Sequence, residues 1–255
     1  MSQVYAVANQ KGGVGKTTTV VNLGAYLAAA ERRVLIVDID PQANATSSLG
    51  VDKLGVRRSI YDSIVGNLPL ARALMLTGRL GLDLIPSTPA LAGAEVELVE
   101  MRRREHRLRA ALGPLRDRYD YVLVDCPPSL GLLTINALAA ADEVIIPVQC
   151  EYLPMEGLAQ LLRTVELVGA NLNPALSVRG LLMTMYDVRT TLAQQVVEEV
   201  RGHFPSRVFG TIVPRNVRLS EAPSYGQPVM DYAPSSTGAR AYQALATELM
   251  NRGRS

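Results

Sequence analysis

Lys11-Gly12-Gly13-Val14-Gly15-Lys16-Thr17-Thr18-Thr19 follows the apolar run Val4-Tyr5-Ala6-Val7-Ala8 and precedes an apolar segment of helical period. Strand, glycine-rich loop and helix in that order make a phosphate-binding loop. Glycines let successive backbone N–H groups turn toward one anion, and the helix N-terminus adds partial positive charge. Lys16 is expected to reach the β- and γ-phosphates of a nucleotide, and the Thr17 hydroxyl to hold Mg²⁺. The common G-x-x-x-x-G-K-[ST] spacing is not met, because Gln10 stands at its first glycine position, and a second lysine, Lys11, opens the loop instead.

The rest of the chain suits a soluble α/β protein. Of its 255 residues, 48% are hydrophobic and 20% charged, and with no Trp and only 2 Phe the core must be built from Leu, Val, Ile and Ala. The most apolar stretch, Leu130 to Val148, is broken by Asp142-Glu143, so no membrane span is expected. Met1-Ser2-Gln3 leads straight into the first strand and leaves no room for a signal peptide, which implies a cytoplasmic protein. Cys126 and Cys150 lack metal-site spacing and each follows an apolar run, so both are expected as buried thiols. A net charge of +2 is too small to imply a nucleic-acid partner by itself.

Short apolar runs alternate with helical patterns. Strands are expected at Val4–Ala8, Arg33–Asp40, Leu82–Pro86, Tyr121–Pro127, Glu143–Gln149, Arg179–Tyr186 and Val208–Pro214. Helices are expected at about 16–31, 89–112, 129–140, 156–170, 190–203 and 236–252. Runs such as Val34-Leu35-Ile36-Val37 are apolar throughout, as strands buried on both faces of a parallel sheet are. The fold class is α/β: a doubly wound, mostly parallel twisted sheet flanked by helices, with ligands at the carboxyl ends of the strands. Without repeats or linkers, one domain over residues 1–255 is the economical reading.

Two strand ends carry acids. The second runs Val37-Asp38-Ile39-Asp40-Pro41-Gln42, and the fourth Val124-Asp125-Cys126-Pro127-Pro128-Ser129. Four apolar residues followed by Asp is the Walker B form, so Asp125 is expected to orient water on Mg²⁺. Alone, either acid would read as a turn or capping aspartate. With a phosphate loop in the same chain, the functional reading wins.

These segments, with Val148-Gln149-Cys150-Glu151-Tyr152 and Arg218-Leu219-Ser220-Glu221-Ala222-Pro223-Ser224-Tyr225-Gly226, resemble the ParA/Soj family of chromosome and plasmid partitioning ATPases over essentially the whole chain. The two-lysine loop is that of the deviant Walker A group. The resemblance implies ATP and Mg²⁺ as cofactors and an ATP-dependent homodimer in which Lys11 crosses the interface to the partner's nucleotide. It makes Lys11, Lys16 and Asp40 catalytic, with Asp40 positioning the attacking water. It gives the phosphates to Lys11, Gly12, Gly13, Val14, Gly15, Lys16, Thr17 and Thr18, the adenine to Pro214 and Asn216, and the metal to Thr17 and, through water, Asp125. Pro127 and Pro128 begin a segment that senses the γ-phosphate. The resemblance further implies non-specific binding of double-stranded DNA through Arg189 and Arg218, a ParB-type centromere-binding partner, and nucleoid association. Arg201, Arg207 and Arg240 extend the basic surface only as candidates, since a lone surface arginine is as readily a solvated charge.

The run Met101-Arg102-Arg103-Arg104-Glu105-His106-Arg107-Leu108-Arg109 is the densest cationic patch, and with Leu98, Met101, Leu108 and Leu112 as an apolar stripe it reads as a solvated helix face. His106 and His203 read as surface histidines. A MinD-like switch acting on a membrane or protein client is the alternative, but the last helix lacks the cationic flank of a membrane anchor. Nitrogenase-iron-protein-like, arsenite-pump-like and dethiobiotin-synthetase-like readings lack their cysteine clamp, duplicated halves or substrate pocket. The phosphate loop opens at residue 11, which leaves no room for an N-terminal helix-turn-helix extension.

Overall fold

The computed structural model describes residues 2–151 and 155–252; Tyr152 of the fourth quoted motif lies outside them. The strands are β1 (Gln3–Val7), β2 (Val34–Asp38), β3 (Met75–Leu76), β4 (Leu82–Ile85), β5 (Tyr121–Asp125), β6 (Glu143–Gln149), β7 (Ser177–Tyr186) and β8 (Val208–Pro214). They form one sheet in the order β3-β4-β2-β5-β1-β6-β7-β8. Every pairing is parallel except that of the two-residue edge strand β3 with β4. All seven expected strands are present; β3 is too short to leave a pattern in sequence.

Alternate side chains of the buried strands feed two cores. Val4, Ala6, Val122 and Val124 face one layer, while Tyr5, Val7 and Leu123 face the other. The first layer holds α3 (Ile60–Ile64), α4 (Leu91–Glu97), α5 (Arg107–Arg116), α6 (Leu132–Ala140), α7 (Met155–Asn171) and α8 (Thr191–His203). The second holds α1 (Lys16–Ala29), α2 (Asn44–Ser48), α9 (Val217–Glu221), α10 (Val229–Tyr232) and α11 (Thr237–Asn251). In α11 the stripe Tyr242, Leu245, Ala246 and Leu249 is buried, so the last helix spends its apolar face on the core. No helix among the described residues is long and apolar enough to cross a membrane.

The expected helix over 89–112 is corrected. It breaks between Leu98–Glu100 and Arg104–His106, two 3₁₀ turns, with Met101 extended and Arg103 left-handed at φ 52°. The arginine run is therefore a turn ahead of α5 and not a continuous helix face, although Leu98, Leu108 and Leu112 are buried as the stripe implied. Arg103 is neither Gly nor Asn, so nothing in its residue type announces the break.

The motif ending at Gly226 has a packing role. Gly226 is left-handed at φ 64°, and a Cβ there would lie 2.6 Å from the Gly50 Cα, just beyond α2. Replacing Gly226 by alanine should therefore destabilise the fold by about 2–3 kcal/mol. A thermal melt should show a midpoint lowered by roughly 5–10 °C.

Candidate functional site

The register of the sheet assembles the site. Asp38 and Asp125 are direct partners on β2 and β5, and Val7 pairs with Asp125 from the other side. The loop leaving β1 therefore arches over two neighbouring acids at the carboxyl ends, where the strand order reverses around β1. Gly13 and Gly15 are left-handed at φ 73° and 91°, conformations that glycine adopts at little cost. Thr184 on β7 ties the loop down, its hydroxyl donating to the Val14 carbonyl at 2.8 Å. The Asn9 carboxamide links the Lys11 amide (3.0 Å) to the Pro147 carbonyl (2.7 Å).

Thr17 and Asp125 meet. The Thr17 hydroxyl donates to Asp125 Oδ2 at 2.7 Å, while Asp125 Oδ1 is buried with no hydrogen-bond partner among the described residues. A hard-oxygen pair at the foot of a phosphate loop, with one carboxylate oxygen unspent, fits Mg²⁺. Burial and the neighbouring Asp38 hold the Asp125 carboxyl well above the usual carboxylate range. Burial likewise pushes Asp38 up to about 6, against the hydrogen bonds it accepts from Thr46 and the Asp40 amide. Lys16 is buried, its ammonium donating to the Lys11 carbonyl at 3.1 Å; desolvation lowers its pKa and Asp125 partly restores it.

A pH dependence follows. Folded Asp38 keeps its proton above the pH at which the unfolded chain loses it, so metal-free stability should fall as pH rises from the ordinary carboxylate range through about 6. It should fall further as Asp125 ionises. Denaturant midpoints across that range check this, and excess Mg·ATP should flatten the slope by favouring the ionised acid.

Asp40 is buried and its backbone is fixed from both sides. Its amide donates to Asp38 Oδ1 at 3.1 Å, its carbonyl accepts from the Ser87 hydroxyl at 2.7 Å, and Oδ1 accepts from the Gln42 amide at 2.9 Å. Ser87 and Thr46 were not singled out from sequence; the available signal was that Ser87 closely follows a strand end.

A cavity of about 510 Å³ opens beside the loop, lined among others by Gly15, Thr18, Met185, Pro214, Asn216 and Tyr242. Met185 is left-handed at φ 53°, a strained conformation at the rim of a site. The Asn216 carboxamide is partly committed: Oδ1 caps α9 through the Arg218 amide at 2.9 Å and Nδ2 donates to Thr237 at 2.6 Å. One N–H and one lone pair remain for a base edge.

Arg189 and Arg218 lie outside this pocket, at the same end of the sheet. Tyr186 and Pro214 are register partners on β7 and β8, and the Arg215 amide donates to the Tyr186 carbonyl at 2.9 Å, so the two arginine-bearing loops adjoin. Each guanidinium is exposed and leans on a local acid: Arg189 on Asp187 at 2.6 and 2.9 Å, Arg218 on Glu221 at 2.7 Å. Arg189 draws Asp187 down to about 2. Such exposed pairs are weak and exchange readily for phosphate. Cys126 and Cys150 are free and buried, as expected.

A family model described as an AAA domain matches residues 2–178. The chromosome partitioning protein ParA of Myxococcus xanthus is 55% identical over 252 residues, covering 99% of this chain and 89% of that protein. The sporulation initiation inhibitor protein Soj of Bacillus subtilis is 55% identical over 253 residues, covering 99% and 100%. The chain belongs to the ParA/Soj family.

Solved structures agree with ParA/Soj membership in fold. A structure described as cobyrinic acid a,c-diamide synthase from Mycobacterium smegmatis, with bound ADP and magnesium, is 41% identical with a TM-score of 0.87 over 98% of this chain and 94% of that one. The septum site-determining protein MinD from Pyrococcus horikoshii OT3, complexed with Mg-ADP, is 25% identical with a TM-score of 0.78 over 98% and 97%.

Proposed function

We propose that this ParA/Soj-family chain is one ATPase domain over residues 1–255 that binds ATP with Mg²⁺, dimerises around two nucleotides and holds double-stranded DNA without sequence preference while ATP is bound. Hydrolysis, slow alone and stimulated by a ParB-type centromere-binding protein, resets the switch, so the protein works in the cytoplasm on the nucleoid. Thr17 and, through water, Asp125 would hold the metal, which when bound neutralises charge on the β- and γ-phosphates. The backbone from Gly12 to Thr18 cradles the phosphates, Lys16 stabilises the charge that develops on them, and Asp40 positions water. Pro214 and Asn216 receive the adenine, and Pro127 and Pro128 respond to the γ-phosphate.

The observation that carries the dimer reading is the open outer side of the loop. Gly12 is exposed, and a Cβ built on it meets nothing within 4 Å. A second copy's loop can therefore approach it, with half-buried Lys11 beside it as the crossing cation. Gly12→Val should fold normally and keep ATP affinity within about threefold, a loss below about 1 kcal/mol. By sedimentation it should stay monomeric with ATP; an ATP-dependent Gly12→Val dimer would contradict the assignment.

Arg189 and Arg218 test the DNA half of the reading. The double alanine variant should dimerise with ATP yet bind duplex DNA at least tenfold more weakly at about 150 mM salt. Unchanged affinity would remove these residues from the interface. A membrane client is disfavoured because the α11 stripe is buried in the core. A glutamine-dependent diamide synthase is disfavoured because such amide transfer uses a reactive thiol, and here both cysteines are buried, with Cys150 pushed up to about 12.

A further inference from the structure

Asp40 sits in a closed circuit of hydrogen bonds. Its amide donates to Asp38 Oδ1 at 3.1 Å, and Asp38 Oδ2 accepts from the Thr46 hydroxyl at 2.7 Å. The Thr46 oxygen accepts in turn from the Ser87 amide at 2.9 Å, and the Ser87 hydroxyl returns to the Asp40 carbonyl at 2.7 Å. The circuit joins two neighbouring strand ends and a helix: Asp38 ends β2, Thr46 lies in α2, and Ser87 follows β4, which pairs with β2. All four residues are buried.

A buried polar circuit is stable only when each member is satisfied, and each bond polarises the next. This one also holds a strained turn. Ala43, fully buried, is left-handed at φ 53°, and its amide is a second donor to the Asp40 carbonyl at 2.9 Å. A residue with a Cβ keeps that conformation where its surroundings over-determine it, a condition that clusters at functional sites. What the turn presents is the Asp40 carboxylate. Oδ1 accepts from the Gln42 amide at 2.9 Å, whereas Oδ2 takes no hydrogen bond among the described residues. A main chain fixed at amide and carbonyl, with one carboxylate oxygen left over, is what a water-positioning acid needs.

With Asp40 as that acid, the reading on which this rests, we propose that Ser87 and Thr46 are positioning residues for ATP hydrolysis, holding the Asp40 carboxylate where it orients the attacking water. Ser87 acts directly on the Asp40 carbonyl. Thr46 acts through Asp38, giving its hydroxyl and its amide (2.8 Å) to the carboxylate that fixes the Asp40 amide. Neither residue lines the cavity beside the phosphate loop, so turnover and nucleotide affinity separate. A displacement of about 1 Å at a reacting group can lower turnover by about 10²-fold even when its cause lies away from the chemistry.

The test is single-turnover phosphate release at saturating Mg·ATP, with ATP affinity, sedimentation and thermal melts on the same full-length proteins. Ser87→Ala leaves the Ser87 amide on Thr46 and the Ala43 amide on the Asp40 carbonyl, so it should fold. Ser87→Ala and Thr46→Val should each hydrolyse at least about tenfold more slowly, with ATP affinity within about threefold of wild type and unchanged sedimentation with ATP. Thr46→Ser, which keeps the hydroxyl, should recover most of the rate lost in Thr46→Val. Combined with Asp40→Ala, Ser87→Ala should slow hydrolysis no further, because the acid it positions is gone. Equal slowing by Ser87→Ala in both backgrounds would overturn the proposal. So would wild-type turnover in Ser87→Ala and Thr46→Val beside a slow Asp40→Ala, or a loss of ATP affinity that matches the loss of rate. Wild-type turnover in Asp40→Ala would instead remove the reading of Asp40, and the proposal with it.

Discussion

Asp40→Ala should lower ATP hydrolysis by about 10²–10⁴-fold while leaving ATP binding intact, the range expected when a positioned base or water-orienting group is lost. The geometry makes this a clean substitution. The Asp40 amide and carbonyl are held by Asp38 and Ser87 independently of its side chain, and among the described residues the only side-chain bond lost is the one from the Gln42 amide. The backbone that bears the acid should therefore stay in place, and the protein should accumulate as an ATP-bound dimer on DNA. Phosphate release in a single-turnover assay measures the first effect, and retention on duplex DNA after ATP addition the second. Hydrolysis at the wild-type rate would remove Asp40 from the chemistry.

Lys16→Ala should weaken ATP binding by roughly 10²–10³-fold, which corresponds to losing two charge-assisted hydrogen bonds of about 1.5–3 kcal/mol each, less what water recovers. Lys16 is a buried cation whose ammonium, among the described residues, donates only to the Lys11 carbonyl, and burial already lowers its pKa. A charge so poorly solvated costs the fold something, and phosphate is the compensation. The alanine variant should accordingly melt no lower than wild type without nucleotide, yet show none of the stabilisation that Mg·ATP gives. Titration with a fluorescent ATP analogue, with melts in parallel, separates these outcomes. A full ATP-induced shift in the variant would mean that the phosphates lie elsewhere.

The parts legible in sequence are those that physics repeats. β2 and β5 are buried on both faces, so they are apolar at every position and end abruptly at Asp38 and Asp125. The phosphate loop is legible because glycine is needed where φ is positive, at Gly13 and Gly15. What escaped the sequence lacks periodicity. Each of α2, α3, α9 and α10 spans at most five residues, too few for a helical stripe, and the first of these places Thr46 on Asp38. Arg103 adopts a left-handed turn that its residue type does not signal, and so one expected helix proved to be two with a cationic hollow between. Thr184 and Met185 lie within the end of β7, ahead of the acid Asp187 that follows it, and neither residue type marks a site, yet one ties down the loop and the other lines the cavity. Asn216 was read for its amide, but the cap it provides to α9 and its bond to Thr237 depend on tertiary contacts invisible along the chain.

Under the proposed function, bound ATP decides whether the protein holds DNA. Equilibrium binding to non-specific duplex at about 150 mM salt, where isolated arginine contacts are weak, tests it in four states: no nucleotide, ADP, ATP, and ATP with Asp40→Ala. Binding should be at least tenfold tighter with ATP than with ADP or none, and tightest and longest-lived in the Asp40→Ala protein. Equal affinity in all four states would contradict it.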